Sequence, residues 1–228
     1  MTPPRLCLLA IAALCVSLAG AREAQALTLR CANADVVVQS AAADDAQSVC
    51  AGAADAIEFL GARGLKTDGP IAVHIVDALP APISPGAFGG YIRDGRRAYL
   101  LSFANIARRG TVFGLPFERA LYRSLATHEV AHAVAAANFR IAEPPIEAEE
   151  YIAYAAMFAT MPAAKRDPLL ARFAGQAFAS ELQINRFVYI LAPFRFGVLS
   201  YKHFMQEADG AAFLRKVLAG EALAGLAD

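Results

Sequence analysis

Residues 127–134 read Thr-His-Glu-Val-Ala-His-Ala-Val, and this segment constrains the fold more than any other. It holds two of the four histidines of the chain, His128 and His132, with Glu129 directly after the first. Residues four apart on an α-helix lie one turn apart on the same face, so both imidazoles can point at one position in space. Glu129 is rotated by about 100° from His128 and can reach a water molecule held there. This H-E-x-x-H pattern is typical of two metal ligands and a general base on one helical turn.

The residues before the motif indicate that its histidines face the protein interior. Phe117, Leu121 and Leu125 precede the motif at helical spacing. His128 therefore continues the apolar stripe of a helix that we expect from about 117 to 138. The alternative is a pair of buried neutral histidines, each bonded to a backbone carbonyl. That alternative leaves a buried glutamate beside them without a partner, which is costly.

A catalytic zinc ion takes three protein ligands and a water molecule, so the motif needs a third ligand from elsewhere. The next helix, expected from near 144–145 to about Thr160, carries several glutamates in the run EPPIEAEEYIAYAAMF. Projected at about 100° per residue, Glu150 falls in the middle of the apolar face and Glu147 near its edge. We prefer Glu150 as the third ligand, with Glu147 as the alternative. A carboxylate centred on an apolar stripe must be paired, protonated or bound to a metal.

The other acids of this run have a simpler interpretation. Glu149 points to the opposite side of the helix and is expected to be solvated. Acidic residues also gather at helix N-termini because the macrodipole favours them, which accounts well for the neighbouring acids but less well for Glu150. The 17 residues between His132 and Glu150 are enough for a helix end, a turn and the start of an antiparallel helix.

His128-Glu129-Val130-Ala131-His132, followed one helix later by Glu150 in EYIAY, resembles the gluzincin branch of the zincin metallopeptidases, which includes the peptidase MA-like bacterial domains. The resemblance covers residues 70–205 and rests, outside the motif, on the order of elements. It implies that the two histidines and Glu150 hold Zn²⁺, and that Glu129 activates the bound water and returns the proton to the leaving amine. It also implies that an extended peptide lies along a sheet edge, here one arm of a hairpin at 88–103.

The same resemblance implies a second electrophile, because a side chain often assists the metal in this family. The candidates are Tyr201 and His203 in the run LSYKHF, or Tyr154 on the third-ligand helix. For Tyr201 and His203 the alternative interpretation is an ordinary packing or surface role. Their position relative to the metal site therefore decides between the two interpretations.

The first 26 residues have the pattern of a secretory signal peptide. Arg5 precedes an apolar run at 6–18, and Ala24-Gln25-Ala26 is a small-x-small cleavage pattern, so we expect cleavage after Ala26. An uncleaved N-terminal anchor is the alternative. Cleavage leaves Cys31 and Cys50, and an even pair in an exported protein predicts a disulfide. We therefore expect a periplasmic or extracellular protein with no transmembrane segment after cleavage.

The mature chain is expected to form one α+β domain over residues 27–228, with a zincin-like arrangement. Its α/β part spans 27–115 and its helical part spans 116–228. In the first part, the patterns predict a strand at 36–38, a helix opening at Asp44-Asp45, a strand within 70–80, a hairpin at 88–103 that turns at Asp94-Gly95, and a loop at 104–115. In the second part, a third helix is expected from Asp167-Pro168 to about 191, followed by shorter helices at 198–207 and 210–219.

The formal net charge of zero argues against a nucleic-acid binder that works through a broad basic surface. The leading hypothesis is an exported zinc metallopeptidase that acts on peptides or proteins. One alternative is a non-catalytic zincin-fold module with an interaction or structural role in the cell envelope. Another is a structural helical protein that binds no metal. The sequence leaves the oligomeric state open.

Overall fold

The computed structural model describes residues 27–223, and the expected signal peptide lies outside this range. The fold is mixed α+β, with a small strand-rich N-terminal part and a helical C-terminal half, as the sequence predicts. The strands are β1 (Leu27–Arg30), β2 (Val36–Ser40), β3 (Ile71–Val76), β4 (Gly89–Ile92), β5 (Arg97–Leu101), β6 (Thr111–Val112) and β7 (Leu115–Pro116). The helices are α1 (Ala43–Gly61), α2 (Phe103–Ala107), α3 (Arg119–Asn138), α4 (Ile146–Thr160), α5 (Ala163–Ala171), α6 (Arg186–Leu191), α7 (Pro193–Gln206) and α8 (Gly210–Ala219).

Five of the strands form one sheet in the order β1-β2-β3-β5-β4. The inner strands β2, β3 and β5 run parallel, whereas β1 and β4 run antiparallel to their neighbours at the two edges. β4 and β5 form the predicted hairpin, which turns at Asp94-Gly95 with a bond from the Arg96 amide to the Arg93 carbonyl. Among residues 27–223, β4 pairs with β5 on one edge and with no strand on the other.

One face of the sheet forms the core beneath the helices. Alternate residues of neighbouring strands are in register and buried on this face, as expected for period-two strands. They are Val36 and Val38 of β2, Ile71 and Val73 of β3, and Ala98 and Leu100 of β5. Helices α1 and α3 pack against this face. His74 and Tyr99 alternate with the core residues and stack on each other, with ring centroids 5.2 Å apart.

A close contact between α1 and α3 holds the segment just before the motif. A Cβ atom at Gly52 would lie only 2.4 Å from the Arg123 carbonyl oxygen, so a side chain there would force the two helices apart. The Thr127 hydroxyl donates to the Gly52 carbonyl oxygen at 3.1 Å. The backbone that carries His128 is therefore fixed against α1.

The predicted disulfide between Cys31 and Cys50 is present, with Cα atoms 5.3 Å apart. It joins the segment after β1 to the middle of α1, two residues before the Gly52 contact. The cross-link therefore ties the edge of the sheet to the helix that supports α3.

Two secondary-structure predictions were wrong, and one strand was missed. The expected loop at 104–115 contains most of α2 and the β6–β7 ribbon, because Ser102 caps α2 through its side chain. The expected long third helix is two separate helices: Pro168 lies inside α5, which begins at Ala163, and Gly175 adopts a left-handed conformation after α5 ends. The Asn185 side chain then caps α6. The missed strand is β1, a short segment that gains its order by pairing with β2.

The remaining helices follow the prediction more closely. The helices predicted at 117–138 and 144–160 correspond to α3 and α4, and the short helix predicted at 210–219 is α8. Pro193 is the first residue of α7, so this helix begins five residues earlier than expected. Within residues 27–223, no helix is both long enough and apolar enough to cross a membrane.

Candidate metal centre

The candidate site lies between α3 and α4, which pack against each other. His128 and His132 lie one turn apart on α3, and Glu150 lies on the first turns of α4. The chain leaves α3 at Asn138 and enters α4 at Ile146. This short connection brings the beginning of α4 back beside the histidines, as the sequence spacing suggests.

The two imidazoles and the carboxylate converge on one point. His128 Nε2 and His132 Nε2 are 3.1 Å apart. Glu150 Oε2 is 3.4 Å from His128 Nε2, and Glu150 Oε1 is 3.6 Å from His132 Nε2. Tetrahedral zinc with bonds of about 2.0–2.2 Å places its ligand atoms about 3.3–3.6 Å from one another. The three side chains therefore fit a metal ion, and they form the one group of this kind found within residues 27–223.

The alternative of two histidines bonded to backbone carbonyls does not describe this arrangement. Both Nε2 atoms point at each other and at Glu150. Among the residues that the structure describes, no hydrogen-bond partner reaches the buried His128 Nδ1 atom. Two nitrogens at this distance need either a shared proton or a shared cation, so the cluster could hold a metal ion.

The charge states of His132 on α3 and Glu150 on α4 suit a metal ion. Burial lowers the pKa of His132 to about 4, with partial opposition from Glu150, so this ring is neutral at neutral pH. Burial raises the pKa of Glu150, but His132, His128 and a hydrogen bond from Tyr189 outweigh it and hold the pKa below its ordinary value. A neutral imidazole and an ionised carboxylate are the forms in which these groups bind metals.

The charge state of His128 sets a competition at the site. Burial lowers the pKa of His128, but the hydrogen bond and charge of Glu150 outweigh burial and raise this pKa above its ordinary value. A metal ion held here would therefore have to compete with a proton for the Nε2 atom of this residue.

Glu129 is buried next to the cluster and has a free oxygen. The residue is only 6% exposed. Within the described part of the chain, its Oε2 atom has no hydrogen-bond partner. Burial raises the pKa of Glu129 to about 8, with partial opposition from the charge of His128. A cation held by the neighbouring ligands lowers this pKa again, because an opposite charge favours the ionised carboxylate.

A cleft of about 980 Å³ opens onto His128, Glu129, His132 and Glu150. One wall is the edge strand β4 with the residues before it, and another is α4. The turn between β6 and β7, Tyr189 of α6 and the first residues of α7 also line the cleft. Most of the lining is apolar, including Phe88, Leu125, Met157 and Phe194.

The structure separates the predicted third ligands. Glu150 joins the cluster, whereas Glu147 is buried on the same helix but is not part of the metal-binding group. Glu149 is not simply solvated as expected. It forms an ion pair with Arg93 of the hairpin turn and lines the cleft, because the hairpin comes close to the start of α4.

The predicted electrophiles are also separated. Tyr154 lines the cleft, and its ring packs edge-on against His128 with centroids 4.6 Å apart. The structure does not bring Tyr201 and His203 to the cleft, since α7 turns both into the packing between helices. Tyr201 packs against Phe158, and His203 Nδ1 is 2.9 Å from the Tyr151 hydroxyl.

Tyr189 is a site residue that the sequence reasoning missed. Its hydroxyl donates to Glu150 Oε1 at 2.9 Å, and its side chain lines the cleft. It follows Glu150 by 39 residues, on a helix whose position depends on tertiary packing. No spacing or motif in the sequence connects the two residues.

The chain was compared with known proteins and protein families. No curated protein and no solved structure matches it. A family model does match, and it spans residues 36–226, which include both helices of the cluster, the edge strand β4 and Tyr189. The fold and the site described above therefore lie almost entirely within the matched region. Because this match covers most of the sequence, the chain belongs to the family described as "Family of unknown function (DUF6639)".

Proposed function

We propose that this protein is an exported zinc metallopeptidase of the gluzincin type, which hydrolyses peptide bonds. One observation carries the proposal: the convergence of His128 Nε2, His132 Nε2 and the Glu150 carboxylate on one point. The buried, unpartnered Oε2 atom of Glu129 beside that point supports it. Three protein ligands with an adjacent carboxylate are the arrangement of catalytic zinc sites that keep one position for water.

The residues of the chain divide the chemistry between them. His128, His132 and Glu150 would hold the ion, which would supply a Lewis acid and lower the pKa of bound water toward neutrality. Glu129 accepts the proton of the attacking water and delivers it to the leaving amine. The apolar walls of the cleft exclude bulk water, which strengthens the electrostatic interactions within it.

The free edge of β4 supports an extended peptide as the substrate. The Phe88 carbonyl oxygen accepts a bond from the Leu101 amide at 2.8 Å on the paired side. Antiparallel pairing alternates bonded and free positions, so the backbone groups of Gly89 and Tyr91 point to the free side. A peptide added there gains main-chain hydrogen bonds, and it lies across the mouth of the cleft beside Glu129.

Tyr154 is the electrophile that the geometry supports in place of Tyr201 or His203. Its ring contacts His128, and it lies in the cleft with Glu129. Burial raises the pKa of Tyr154 well above its ordinary value, so the hydroxyl keeps its proton. A protonated hydroxyl can donate to a carbonyl oxygen on which negative charge develops.

Export is the part of the proposal that rests on the leader pattern and on the cross-link. The first 26 residues have the signal-peptide pattern described above. The disulfide between Cys31 and Cys50 suits an oxidising compartment. We place the protein in the periplasm or outside the cell.

The test is the Glu129→Gln variant, assayed for zinc content and for hydrolysis of a broad peptide library. The amide of the substituted side chain cannot accept the proton, but the three ligands are unchanged, so we expect normal zinc content and a loss of about 100- to 10,000-fold in kcat/KM. Glu58→Gln on the exposed side of α1 is the matched control and should keep full activity. Full activity in Glu129→Gln contradicts the general-base role. Zinc binding without cleavage by the wild-type protein favours the non-catalytic alternative.

A further inference from the structure

The geometry points to Tyr189 as a positioning residue that fixes the Glu150 carboxylate and so sets the affinity of the site for its metal. This inference rests on the proposed zinc site and adds to it a residue outside the ligand set. Tyr189 is not a ligand in this account. It acts through Glu150, by holding one of the two carboxylate oxygens in place.

The hydrogen bond defines the orientation of the carboxylate. The Tyr189 hydroxyl donates to Glu150 Oε1, whereas Glu150 Oε2 is the oxygen closer to His128. Tyr189 therefore holds the same oxygen that lies 3.6 Å from His132 Nε2, so its hydrogen bond fixes how both oxygens face the histidines. Hydrogen bonds of this kind reduce the ways in which a ligand can turn away from the ion, and they change its basicity.

The helix that carries Tyr189, α6, is largely exposed to solvent. Every residue of α6 is at least partly exposed, and the large side chains of Phe187, Ile190 and Leu191 point into solvent. Tyr189 lies on the opposite side of this short helix, where its ring packs edge-on against Phe196 with centroids 5.5 Å apart. Within the part of the chain that the structure describes, the hydrogen bond to Glu150 thus links α6 to the three candidate metal ligands.

Tyr189 lines the cleft, so a direct role on the reacting carbonyl is the competing interpretation. A phenol has one proton to donate, and that proton is directed at Glu150 Oε1. A hydroxyl used in this way holds the ligand in the resting protein. The two roles differ in a measurable way: positioning changes metal affinity, whereas direct assistance changes kcat at full metal occupancy.

The experiment compares purified wild-type protein with Tyr189→Phe, which keeps the ring and removes only the hydroxyl. Zinc dissociation constants are measured by competition with a chromogenic chelator, and the melting temperatures of the metal-free proteins are recorded. We expect the dissociation constant to rise by about 10- to 100-fold, as for other hydrogen-bond partners of metal ligands. The metal-free protein should stay folded, with a melting temperature lowered only by the loss of one hydrogen bond to a carboxylate. Tyr99→Phe is the matched control. The Tyr99 ring stacks on His74 of the sheet, so this variant should bind zinc like the wild type.

An unchanged zinc dissociation constant in Tyr189→Phe overturns the inference. If kcat at saturating zinc also falls while KM is unchanged, the hydroxyl acts on the reacting carbonyl instead. A wild-type protein that binds no zinc removes the proposed function itself and is seen in the same titration. The two failures are therefore distinguished by the wild-type curve.

Discussion

Gly89 is the position at which a single methyl group tests the placement of the proposed general base. It lies on the edge strand β4, and a Cβ atom built there is 2.6 Å from Glu129 Oε1 and 2.6 Å from the Tyr99 carbonyl oxygen. Real Cβ atoms do not approach other atoms closer than 3.0 Å. In Gly89→Ala, β4 must therefore move away from β5, the Glu129 side chain must move, or both must shift.

The size of the effect follows from these two contacts. One obstacle is the backbone of a paired strand and the other is a buried carboxylate, so neither gives way freely. Overpacking at such sites costs about 1–3 kcal/mol of unfolding free energy. For a domain of this size, that lowers the melting temperature by about 2–12 °C. A displaced base lowers kcat by about 10- to 100-fold, because small errors in the position of a reacting group are costly.

The assay measures three quantities on one preparation: zinc content, melting temperature and peptide hydrolysis. Zinc content should stay at the wild-type value, since none of the three ligands is among the atoms nearest to the new methyl group. Gly86→Ala is the matched control. Gly86 lines the same cleft, but a Cβ atom there has only the Ser84 hydroxyl oxygen nearby, at 3.8 Å. We expect Gly86→Ala to keep both its stability and its activity.

Two outcomes would refute this reasoning. If Gly89→Ala keeps wild-type activity and melting temperature, Glu129 does not lie against β4. If the variant loses its zinc, the strand supports the ligands and not the base, and the division of roles proposed here is wrong.

Four further results are expected. Replacing both Cys31 and Cys50 by serine should lower the unfolding free energy by about 3 kcal/mol in urea titrations, and no change would mean that the cross-link constrains nothing. Ile152→Ala, at a fully buried position of α4, should cost about 2–5 kcal/mol in the same assay, and a cost below about 1 kcal/mol would contradict the packing. Thr127→Val should cost about 1 kcal/mol because the hydrogen bond from the Thr127 hydroxyl to the Gly52 carbonyl is lost, and a stabilised variant would contradict that bond. Removal of zinc by a chelator should lower the melting temperature of the wild type but leave the melting temperature of Glu150→Ala unchanged. When free zinc is about a thousandfold above its dissociation constant, the loss in the wild type is equivalent to about 4 kcal/mol of unfolding free energy.

Periodicity and motif spacing predicted the elements that carry the candidate metal ligands. The stripe of Leu121, Leu125 and His128 located α3, and the central position of Glu150 on its apolar face singled it out from Glu147. These are properties of single helices, so one sequence contains them. Neither the identity of a bound metal nor catalysis follows from them, and both remain part of the proposal.

The features that the sequence did not reveal depend on contacts between distant segments. Tyr189 meets Glu150 only because α6 folds over the cleft, and Gly89 reaches Glu129 only because β4 lies at the sheet edge. Asp167-Pro168 has the pattern of a helix start, so the sequence predicted that the third helix begins there. Pro168 instead lies within α5, where earlier residues already form the helix.

Tyr201 and His203 show how a position within an element can mislead. Both lie on α7 and both are buried, as a functional pair could be. Their side chains face Phe158 and Tyr151 in the packing between helices and not the cleft. The rotation of α7 about its own axis decides this, and it depends on how α7 packs against α4.

The measurement that tests the central claim most directly is the zinc content of the purified wild-type protein, Glu150→Ala and Glu147→Ala, prepared without added metal. The two glutamates lie one turn apart on α4 and both are buried, so the variants differ in little except their place relative to the histidines. The account predicts one zinc ion per chain in the wild type and in Glu147→Ala, and loss of that ion in Glu150→Ala. A metal-free wild type, or zinc retained in Glu150→Ala and lost in Glu147→Ala, contradicts it.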